Sequence, residues 1–383
     1  MRCPVCETHD IDPVIYLGRM PLSVLDLQDN AKDSIAGKKY KIDIKTCRQC
    51  GHVFNAGYDP SFCQPESSGC TMYNAGRPWT SHMAEVAAAI KNCQAPQAKI
   101  VEIGAGNGEF AKLFMECYPD TDYVAFEPTA DAEVCDKIVP TWKRYFHMAT
   151  DLKSHEPDLL LMRHVLEHYP NPHSFLNDLA AFCRWHRPEV WLAIEVPHVQ
   201  NALNATRIED WVYEHPHHFT QNSLTTLLTR SGWHCGVRTM YNNEVLLAVC
   251  CLASRAPSMQ WDQEFEEMKL NLLETREKLR EEHFNRPGSV VLWGGAGKSA
   301  TLINMLDLPL PVVDSDERKW GMYVPGTGQV ISAPALLDHL KPDWTIVTTA
   351  WRVQDIAEEI KRENYNAGKV MYFTDGKLKH YEG

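Results

Sequence analysis

The stretch Val101-Glu-Ile-Gly-Ala-Gly-Asn-Gly-Glu-Phe110 constrains the fold of this 383-residue chain more than any other. The apolar run 98–103 precedes the glycines, and apolar residues at helical spacing follow them. A strand, a glycine turn and a helix in this order predict a nucleotide-cofactor site, because glycine lets a ligand approach the backbone closely. The spacing Gly104-x-Gly106-x-Gly108 does not match the dinucleotide pattern G-x-G-x-x-G. The alternative is a structural turn in an unrelated α/β domain.

A carboxylate at the end of the next predicted strand supports the cofactor site. The run Tyr123-Val-Ala-Phe126 ends at Glu127, where an acid can accept hydrogen bonds from ribose hydroxyls. Because NAD-binding domains use an acid at the same place for the same hydrogen bonds, Glu127 alone does not identify the cofactor. The combination E-x-G-x-G-x-G with Glu127 resembles the class I S-adenosylmethionine-dependent methyltransferases. The cofactor-binding candidates are Glu102, Gly104, Ala105, Gly106, Asn107, Glu127, Pro128 and Arg163.

Two C-x2-C pairs, Cys3-Pro-Val-Cys6 and Cys47-Arg-Gln-Cys50, predict a tetrahedral zinc site. Each pair presents two thiolates on one tight turn. Four thiolates leave no open coordination position, so we expect a structural rather than a catalytic Zn²⁺. The alternative is four unrelated buried cysteines.

Composition and charge limit the compartment and the partners. The chain has 13 cysteines but no apolar secretory segment at its start, which predicts reduced thiols and a cytoplasmic location. No run approaches the roughly 20 apolar residues that span a bilayer, so no membrane partner is expected. The formal net charge of −12 argues against a nucleic-acid partner. A local basic pocket for a small anionic substrate remains compatible with this charge.

The alternation of apolar runs and helical patterns predicts an α/β fold with two nucleotide-type units. Predicted strands at 99–103, 122–126, 158–162 and 190–195 form a Rossmann-like, class I methyltransferase core over residues 71–256. An N-terminal zinc-binding module and an irregular, aromatic lid precede it within residues 1–70. A linker helix (257–286) and a second C-terminal α/β domain (287–383) follow it.

Polar residues end two of the core strands, and ligands bind beyond the carboxyl ends of such strands. His164-Val-Leu-Glu-His168 follows the third strand, and Glu195-Val-Pro-His198 ends the fourth. His164 and His168 are predicted to share one face of a helical turn. The spacing H-x-x-x-H also permits a metal site, although the sequence offers no evident third ligand.

Residues 211–219 hold the densest polar cluster, with Glu214 and His215 at its centre. Histidine is the side chain best suited to proton transfer near neutral pH, and a neighbouring carboxylate can fix its tautomer. We therefore favour His215 as a catalytic base, against the alternative of solvated loop histidines. A base of this kind is needed to methylate carbon, because a proton next to a carbonyl group must be removed.

The C-terminal unit contains the turn Gly294-Gly-Ala-Gly-Lys-Ser299. It is not a P-loop, because G-x-x-x-x-G-K-S requires glycine where Leu292 stands. A helix N-terminus that carries Lys298 is still a good anion site. The candidates that would hold the diphosphate of a nucleotide-activated substrate are Gly295, Lys298 and Ser299.

Taken in order, these motifs resemble the nucleotide-sugar C-methyltransferases, which methylate C3 of nucleotide-linked 4-keto-6-deoxysugars. The resemblance rests on the two C-x2-C pairs, the glycine turn, Phe126-Glu-Pro128, H-V-x-E-H, Ile194-Glu-Val-Pro197, Glu214-His215 and the C-terminal G-A-x-K unit. It implies the following roles for single residues: His215 as general base, Glu214 as its partner, and His168 and Tyr73 as further pocket residues. The family often has asparagine where His164 stands, and we expect His164 to line the pocket because it follows the end of a strand. The family's usual tyrosine two positions before Glu-His is Val212 here, and Tyr213 is the neighbouring candidate for substrate contact, with His198.

The resemblance implies a nucleotide-diphosphate sugar as substrate, S-adenosylmethionine as methyl donor, structural Zn²⁺, and a monomer or homodimer. The proposed chemistry is deprotonation next to the ketone by His215, followed by methyl transfer to the enolate carbon. Two alternatives stay open: O-methylation or C-methylation of a non-sugar compound, and a non-catalytic scaffold that binds a protein partner.

Overall fold

The computed structural model describes residues 1–22, 30–60, 76–92, 99–253, 262–374 and 377–382. The chain forms two compact units, Met1–Arg255 and Ala256–Gly383. Within the described residues no helix is long and apolar enough to span a bilayer.

In its described residues the first unit has eleven strands and eight α-helices. Its strands are β1 (Ile11–Pro21), β2 (Lys39–Cys47), β3 (Val53–Asn55), β4 (Lys99–Ile103), β5 (Asp122–Phe126), β6 (Thr141–Trp142), β7 (Leu159–Arg163), β8 (Trp191–Pro197), β9 (His217–His218), β10 (Trp233–Met240) and β11 (Val245–Leu252). Its helices are α1 (Ala31–Ala36), α2 (Arg77–Asn92), α3 (Glu109–Cys117), α4 (Ala132–Cys135), α5 (Met148–His155), α6 (Pro172–His186), α7 (Val199–Asn204) and α8 (Gln221–Arg230).

The central sheet of this unit has seven strands in the order β10-β11-β8-β7-β4-β5-β6. Strands β4 to β8 pair in parallel, and β11 is antiparallel to both β8 and β10. The apolar runs form the inner strands because a parallel sheet is covered on both faces. The predicted α/β fold is confirmed, and the ends of β4, β7 and β8 meet at one edge.

The antiparallel pair β10–β11 and the long pair β1–β2 have no counterpart in the sequence prediction. Each pair joins strands that follow one another along the chain, and β10 and β11 are separated only by the turn 241–244. The lid that was predicted as irregular within residues 1–70 contains the short strand β3. Residues 61–75, which include Tyr73, lie outside the described residues.

The second, smaller sheet of the first unit joins the cysteine-rich N-terminal module to the core. Its order is β1-β2-β3-β9, and β9 comes from the segment that follows Glu214 and His215. The pairing aligns Val53 with His218 and Phe54 with His217. The module is therefore extended by a strand that the core domain supplies.

The second unit is a six-stranded sheet with the order β14-β13-β12-β15-β16-β17. It comprises α9 (Asp262–Asn285), β12 (Val290–Trp293), α10 (Lys298–Leu306), β13 (Val312–Val313), β14 (Ile331–Ser332), α11 (Leu336–Leu340), β15 (Trp344–Val347), α12 (Val353–Glu363), β16 (Lys369–Thr374) and β17 (Lys377–His380). The helix α9 occupies the predicted linker region. It buries Leu279 in the core of this unit, which a free linker would not do.

Candidate active site

The glycine turn after β4 has the geometry of a cofactor cradle. Gly104 and Gly106 have φ angles of +76° and +55°, a region that side chains other than glycine rarely adopt. A Cβ atom at Gly104 would lie 2.4 Å from Val165, so the turn packs directly against the segment that follows β7. A Cβ atom at Gly106 would point into open space, which leaves the backbone accessible to a ligand.

The acid at the end of β5 is bonded to this turn. The Gly106 N–H donates to Glu127 at 2.8 Å, and the Thr129 N–H donates to the other carboxylate oxygen at 2.9 Å. A carboxylate has about four lone-pair sites, so two remain for further donors. Glu127 is therefore both fixed in place and able to accept bonds from ribose hydroxyls.

Two of the predicted cofactor residues are buried and make contacts within the core. Glu102 is 2 % exposed and accepts a hydrogen bond of 2.7 Å from the Tyr123 hydroxyl, while burial raises its pKa to about 7. Arg163 is buried, with its guanidinium over the ring of Phe110. The Asn107 side chain accepts a bond of 3.3 Å from the Glu109 N–H at the start of α3. The other predicted residues, Ala105 and Pro128, are half-buried beside the turn.

A buried ionic cluster lies at the edge where β7 and β8 end, and sequence analysis missed its centre. Glu195 is fully buried and accepts bonds from His164 at 2.8 Å, Arg163 at 3.1 Å and His82 at 3.2 Å. Burial alone would raise the pKa of Glu195, but Arg163 and the two histidines hold it well below its ordinary value. The position of Glu195 inside an apolar run indicates such a cluster already in the sequence, because a carboxylate inside a buried strand requires a partner.

His164 is a structural cation within this cluster. Its φ of +54° places it in the left-handed region, where a residue other than glycine often marks a functional site. Burial would lower its pKa, yet the carboxylates of Glu167 and Glu195 raise it to about 9. Only Leu166–His168 form a short 3-10 helix, so the predicted shared helical face of His164 and His168 is wrong. The left-handed residue turns the chain before the helix begins.

A cavity of about 400 Å³ opens beside this cluster. Its lining residues are Pro78, Trp79, His164, Tyr241, Asn242, Glu244 and Val245. The Trp79 and Tyr241 rings pack edge to face with centroids 5.7 Å apart. Aromatic walls beside a buried cation suit a planar or sugar-like ligand that also carries polar groups.

The two histidines that the resemblance places in the acceptor pocket lie together. The rings of His168 and His215 are perpendicular with centroids 4.6 Å apart. Nδ1 of His168 lies 2.9 Å from the backbone oxygen of Glu214 and donates to it, which leaves Nε2 as the acceptor nitrogen. The structure thus joins Glu214 to His168 through its main chain.

His215 is a neutral imidazole in this setting. Burial, reinforced by the repulsion of His168, His218 and His164, holds its pKa well below 6.5. Burial likewise lowers the pKa of His217 to about 4 and that of His218 to about 3. A neutral ring is the form that can take up a proton.

A third side chain that could ligate a metal ion, which the sequence did not reveal, lies next to these histidines. Ligand atoms of Glu167, His168 and His215 all lie within 4.8 Å of one another. Glu167 is 1 % exposed, and its nearest partner is Nδ1 of His164 at 3.5 Å. The group can hold a cation only if His215 gives up the lone pair that a base requires.

The four cysteines of the C-x2-C pairs converge as predicted. Sγ of Cys3 lies 3.7 Å from Sγ of Cys50, and Sγ of Cys6 lies 3.4 Å from Sγ of Cys47. Zn–S bonds of about 2.3 Å in a tetrahedron place the sulfur atoms about 3.8 Å apart. Hydrogen bonding from Cys50 lowers the pKa of Cys3 to about 5, which favours a thiolate. The group is compatible with a zinc module.

The C-terminal turn uses most of its predicted anion-binding groups internally. The Gly295 N–H donates to Asp314 at 3.0 Å, and Ser299 is buried against the Thr348 hydroxyl at 2.7 Å. Lys298 alone among the three candidates is exposed, with its ammonium group 4.9 Å from the ring centre of Trp351. The Asp314 carboxylate accepts a backbone N–H bond from this turn, as the Glu127 carboxylate does from the glycine turn after β4.

The remaining predicted substrate residues, Tyr213 and His198, contact the backbone of other segments. Tyr213 is 1 % exposed, and its hydroxyl accepts a bond of 2.9 Å from the Asp59 N–H. His198 lies nearer the surface, with Nδ1 3.0 Å from the backbone oxygen of Asn243. Neither His198 nor Tyr213 lines the cavity described above.

Two family models match consecutive parts of the chain. Residues 73–235 match a methyltransferase domain, and residues 237–373 match a C-methyltransferase C-terminal domain. A search of curated proteins returns no match. The two matches confirm the predicted methyltransferase domain and the second, C-terminal domain that follows it.

Solved methyltransferase structures resemble part of the chain. Human N-acetylserotonin methyltransferase in complex with SAM is 14% identical, with a TM-score of 0.36 over 46% of this chain and 53% of its own. The mitomycin 7-O-methyltransferase MmcR is 16% identical, with a TM-score of 0.36 over 45% and 54%. The plantazolicin methyltransferase BpumL with SAH is 14% identical, with a TM-score of 0.35 over 46% and 84%. The chain thus spans about half the length of the first two.

Proposed function

We propose that this chain, an S-adenosylmethionine-dependent methyltransferase with a C-methyltransferase C-terminal domain, methylates a carbon atom next to a ketone. The acceptor in this proposal is a nucleotide-linked 4-keto-deoxysugar, and the methylated carbon is C3. The observation that carries the proposal is the neutral His215 beside His168, at the edge of the sheet where the glycine turn lies. Methylation of oxygen or nitrogen needs only modest activation, whereas carbon needs an enolate.

In the proposed reaction His215 takes the proton from the carbon next to the ketone. The electron pair of that C–H bond forms the enolate, and the enolate carbon then attacks the methyl group of S-adenosylmethionine. The C–S bond breaks and S-adenosylhomocysteine leaves. The hydrogen bond from His168 to the Glu214 backbone fixes the ring of His168 beside the base. We assign the methyl donor to the cradle of Gly104, Gly106 and Glu127.

Two further parts of the proposal concern the ends of the chain. The four cysteines hold a structural Zn²⁺, supported by their Sγ separations. Lys298 contributes to holding the diphosphate of the acceptor, supported by its exposure at the start of α10. These features do not identify the acceptor compound. A non-sugar ketone as acceptor, or a product methylated on oxygen, would replace the assignment of a nucleotide-linked sugar methylated on carbon.

The test is solvent exchange at the acceptor carbon. The full chain is incubated in D₂O with a panel of nucleotide-linked 4-keto-6-deoxysugars and S-adenosylhomocysteine, and deuterium uptake is followed by mass spectrometry. We expect uptake next to the ketone with the wild type and a loss of at least about 10²-fold in His215→Ala, the typical contribution of a general base.

The matched control is His234→Ala, since His234 is an exposed histidine of β10. It should exchange deuterium at the wild-type rate. If His215→Ala exchanges as fast as the wild type, the base assignment is wrong. If the wild type exchanges none and methylates an oxygen of the same probes, the C-methylation is wrong.

A further inference from the structure

The short segment that carries His215 is anchored to the N-terminal module on its upstream side. Tyr213 is buried, and its hydroxyl accepts the Asp59 N–H at 2.9 Å. Its ring stacks on Tyr40 of β2 with centroids 4.9 Å apart. Only Glu214 separates this anchor from His215.

A second anchor lies on the downstream side. The Asn55 N–H donates to the backbone oxygen of Pro216 at 2.9 Å, and β3 pairs with β9 directly afterwards. His215 therefore lies between two attachments, and both belong to the cysteine-rich module. The glycine turn, by contrast, is bonded to the end of β5 and packs on the segment after β7.

His52 connects the second anchor to the metal-binding turn. Its backbone oxygen accepts the Cys47 N–H at 2.8 Å, so it closes the turn that presents Cys47 and Cys50. Its ring nitrogen Nε2 lies 3.1 Å from Nδ1 of His217, and both rings are buried. One residue thus takes part in the cysteine turn and in the strand that follows the base.

A second bond ties the same turn to the core. The Asn222 amide donates to the backbone oxygen of Cys50 at 2.8 Å. Asn222 lies in the first turn of α8, which begins just after β9. The main chain around Cys50 therefore contacts α8, the helix that follows the segment that carries His215. Loss of the cysteine turn would release both α8 and that segment.

We propose that the cysteine turn, through His52, positions His215 for proton removal, an inference that rests on the proposed function. A metal bound by four thiolates fixes the conformation of its turns, because metal binding and folding of such sites are coupled. The pairing of β3 with β9 is short, so it keeps its register only if the cysteine turn keeps its conformation. His52 and His217 are positioning residues, and they act on the acceptor step rather than on cofactor binding.

The experiment compares three variants of the full chain. His52→Phe keeps an aromatic ring against Phe54 and Phe219 but removes Nε2. His52→Gln keeps a polar nitrogen at similar reach. Glu7→Gln is the matched control, because Glu7 also joins the module to the core, through an exposed ion pair with Arg230 at 2.8 Å that does not touch the segment.

The readouts are hydrogen exchange of residues 211–218 and of β4, the Kd for S-adenosylmethionine, and kcat with whichever nucleotide 4-keto-6-deoxysugar the wild type accepts. For His52→Phe we expect exchange of 211–218 to rise about tenfold, kcat to fall at least about tenfold, and β4 exchange and the Kd to change less than about twofold. His52→Gln should recover most of the loss, and Glu7→Gln should behave as the wild type.

The proposal is overturned if His52→Phe leaves both the exchange of 211–218 and kcat unchanged, or if Glu7→Gln produces the same losses. Should His52→Phe unfold the chain, His217→Phe and His217→Asn form the equivalent pair on the other side of the contact. Hydrogen exchange and cofactor binding need no acceptor. They therefore test the positioning even where the wild type methylates none of the probes, an outcome that would contradict only the proposed function.

Discussion

The Nε2 atom of His164 lies 2.8 Å from Oε1 of Glu195, in a cluster where both side chains are buried. His164 carries a pKa raised to about 9, so the folded chain binds a proton there that the unfolded chain releases near pH 6.5. The resulting stabilisation is present below pH 6.5 and is lost as the pH rises to about 9. The contact is therefore a pH-dependent element of the stability of the core.

We expect the free energy of unfolding of the wild type to fall by up to about 3 kcal/mol between pH 6.5 and 9 from this group alone. His164→Asn should remove that part of the pH dependence, while His234→Asn, on the exposed face of β10, should keep it. Urea denaturation across this pH range measures the difference. If the free energy of unfolding of His164→Asn changed with pH in the same way as that of the wild type, the raised pKa of His164 would be contradicted.

Glu195 is the most sensitive residue of the same cluster. Glu195→Leu would leave the buried Arg163 without its carboxylate partner and would leave His164 with Glu167 alone, at 3.5 Å. Removing one partner of a buried ion pair typically costs about 3–5 kcal/mol, and we expect a loss of that order here. Chemical denaturation at pH 7 measures the change. A loss below about 1 kcal/mol would mean that solvent reaches the cluster and that it contributes little.

The cofactor cradle predicts a specific loss of methyl-donor binding. Glu127→Ala removes the acceptor for ribose hydroxyls and also the bond to the Gly106 N–H, so we expect the Kd for S-adenosylmethionine to rise by about 10- to 100-fold. Titration calorimetry measures it. Glu133→Ala, an exposed acid of α4, should bind as the wild type does. An unchanged Kd in Glu127→Ala would place the ribose elsewhere.

Metal content separates the two groups that could hold a cation. Zinc analysis of the purified chain should give one equivalent, and Cys47→Ser should lose it. Glu167→Gln should retain the full equivalent, because the thiolates hold the ion in our account. A second equivalent that disappears in Glu167→Gln would show that Glu167, His168 and His215 bind metal, and His215 would then not be the base.

How much the sequence could predict depended on whether the signal was local. The turn at Gly104–Gly108, the strands on either side of it and the two cysteine pairs are each contained in a short segment, and the structure reproduces them. The run that ends at Glu127 was sufficient to predict its place beside the turn.

Features that depend on long-range contacts were missed or misread. His52 and His217 are 165 residues apart, and nothing local in either segment indicates that they meet. The bond from the Tyr123 hydroxyl to the Glu102 carboxylate joins two neighbouring strands, and the glycine motif that contains Glu102 does not indicate it. Burial and pairing of charges in β7 and β8 are likewise decided by packing, which the spacing of residues does not encode.

The most direct test of the central claim is the attachment point of the transferred methyl group. S-adenosylmethionine labelled with ¹³C in its methyl group is supplied with a nucleotide-linked 4-keto-6-deoxysugar, and the product is analysed by carbon–proton correlation NMR. Our account predicts a labelled methyl group bonded to the ring carbon next to the ketone, C3. A labelled methyl group bonded to oxygen or nitrogen would contradict it.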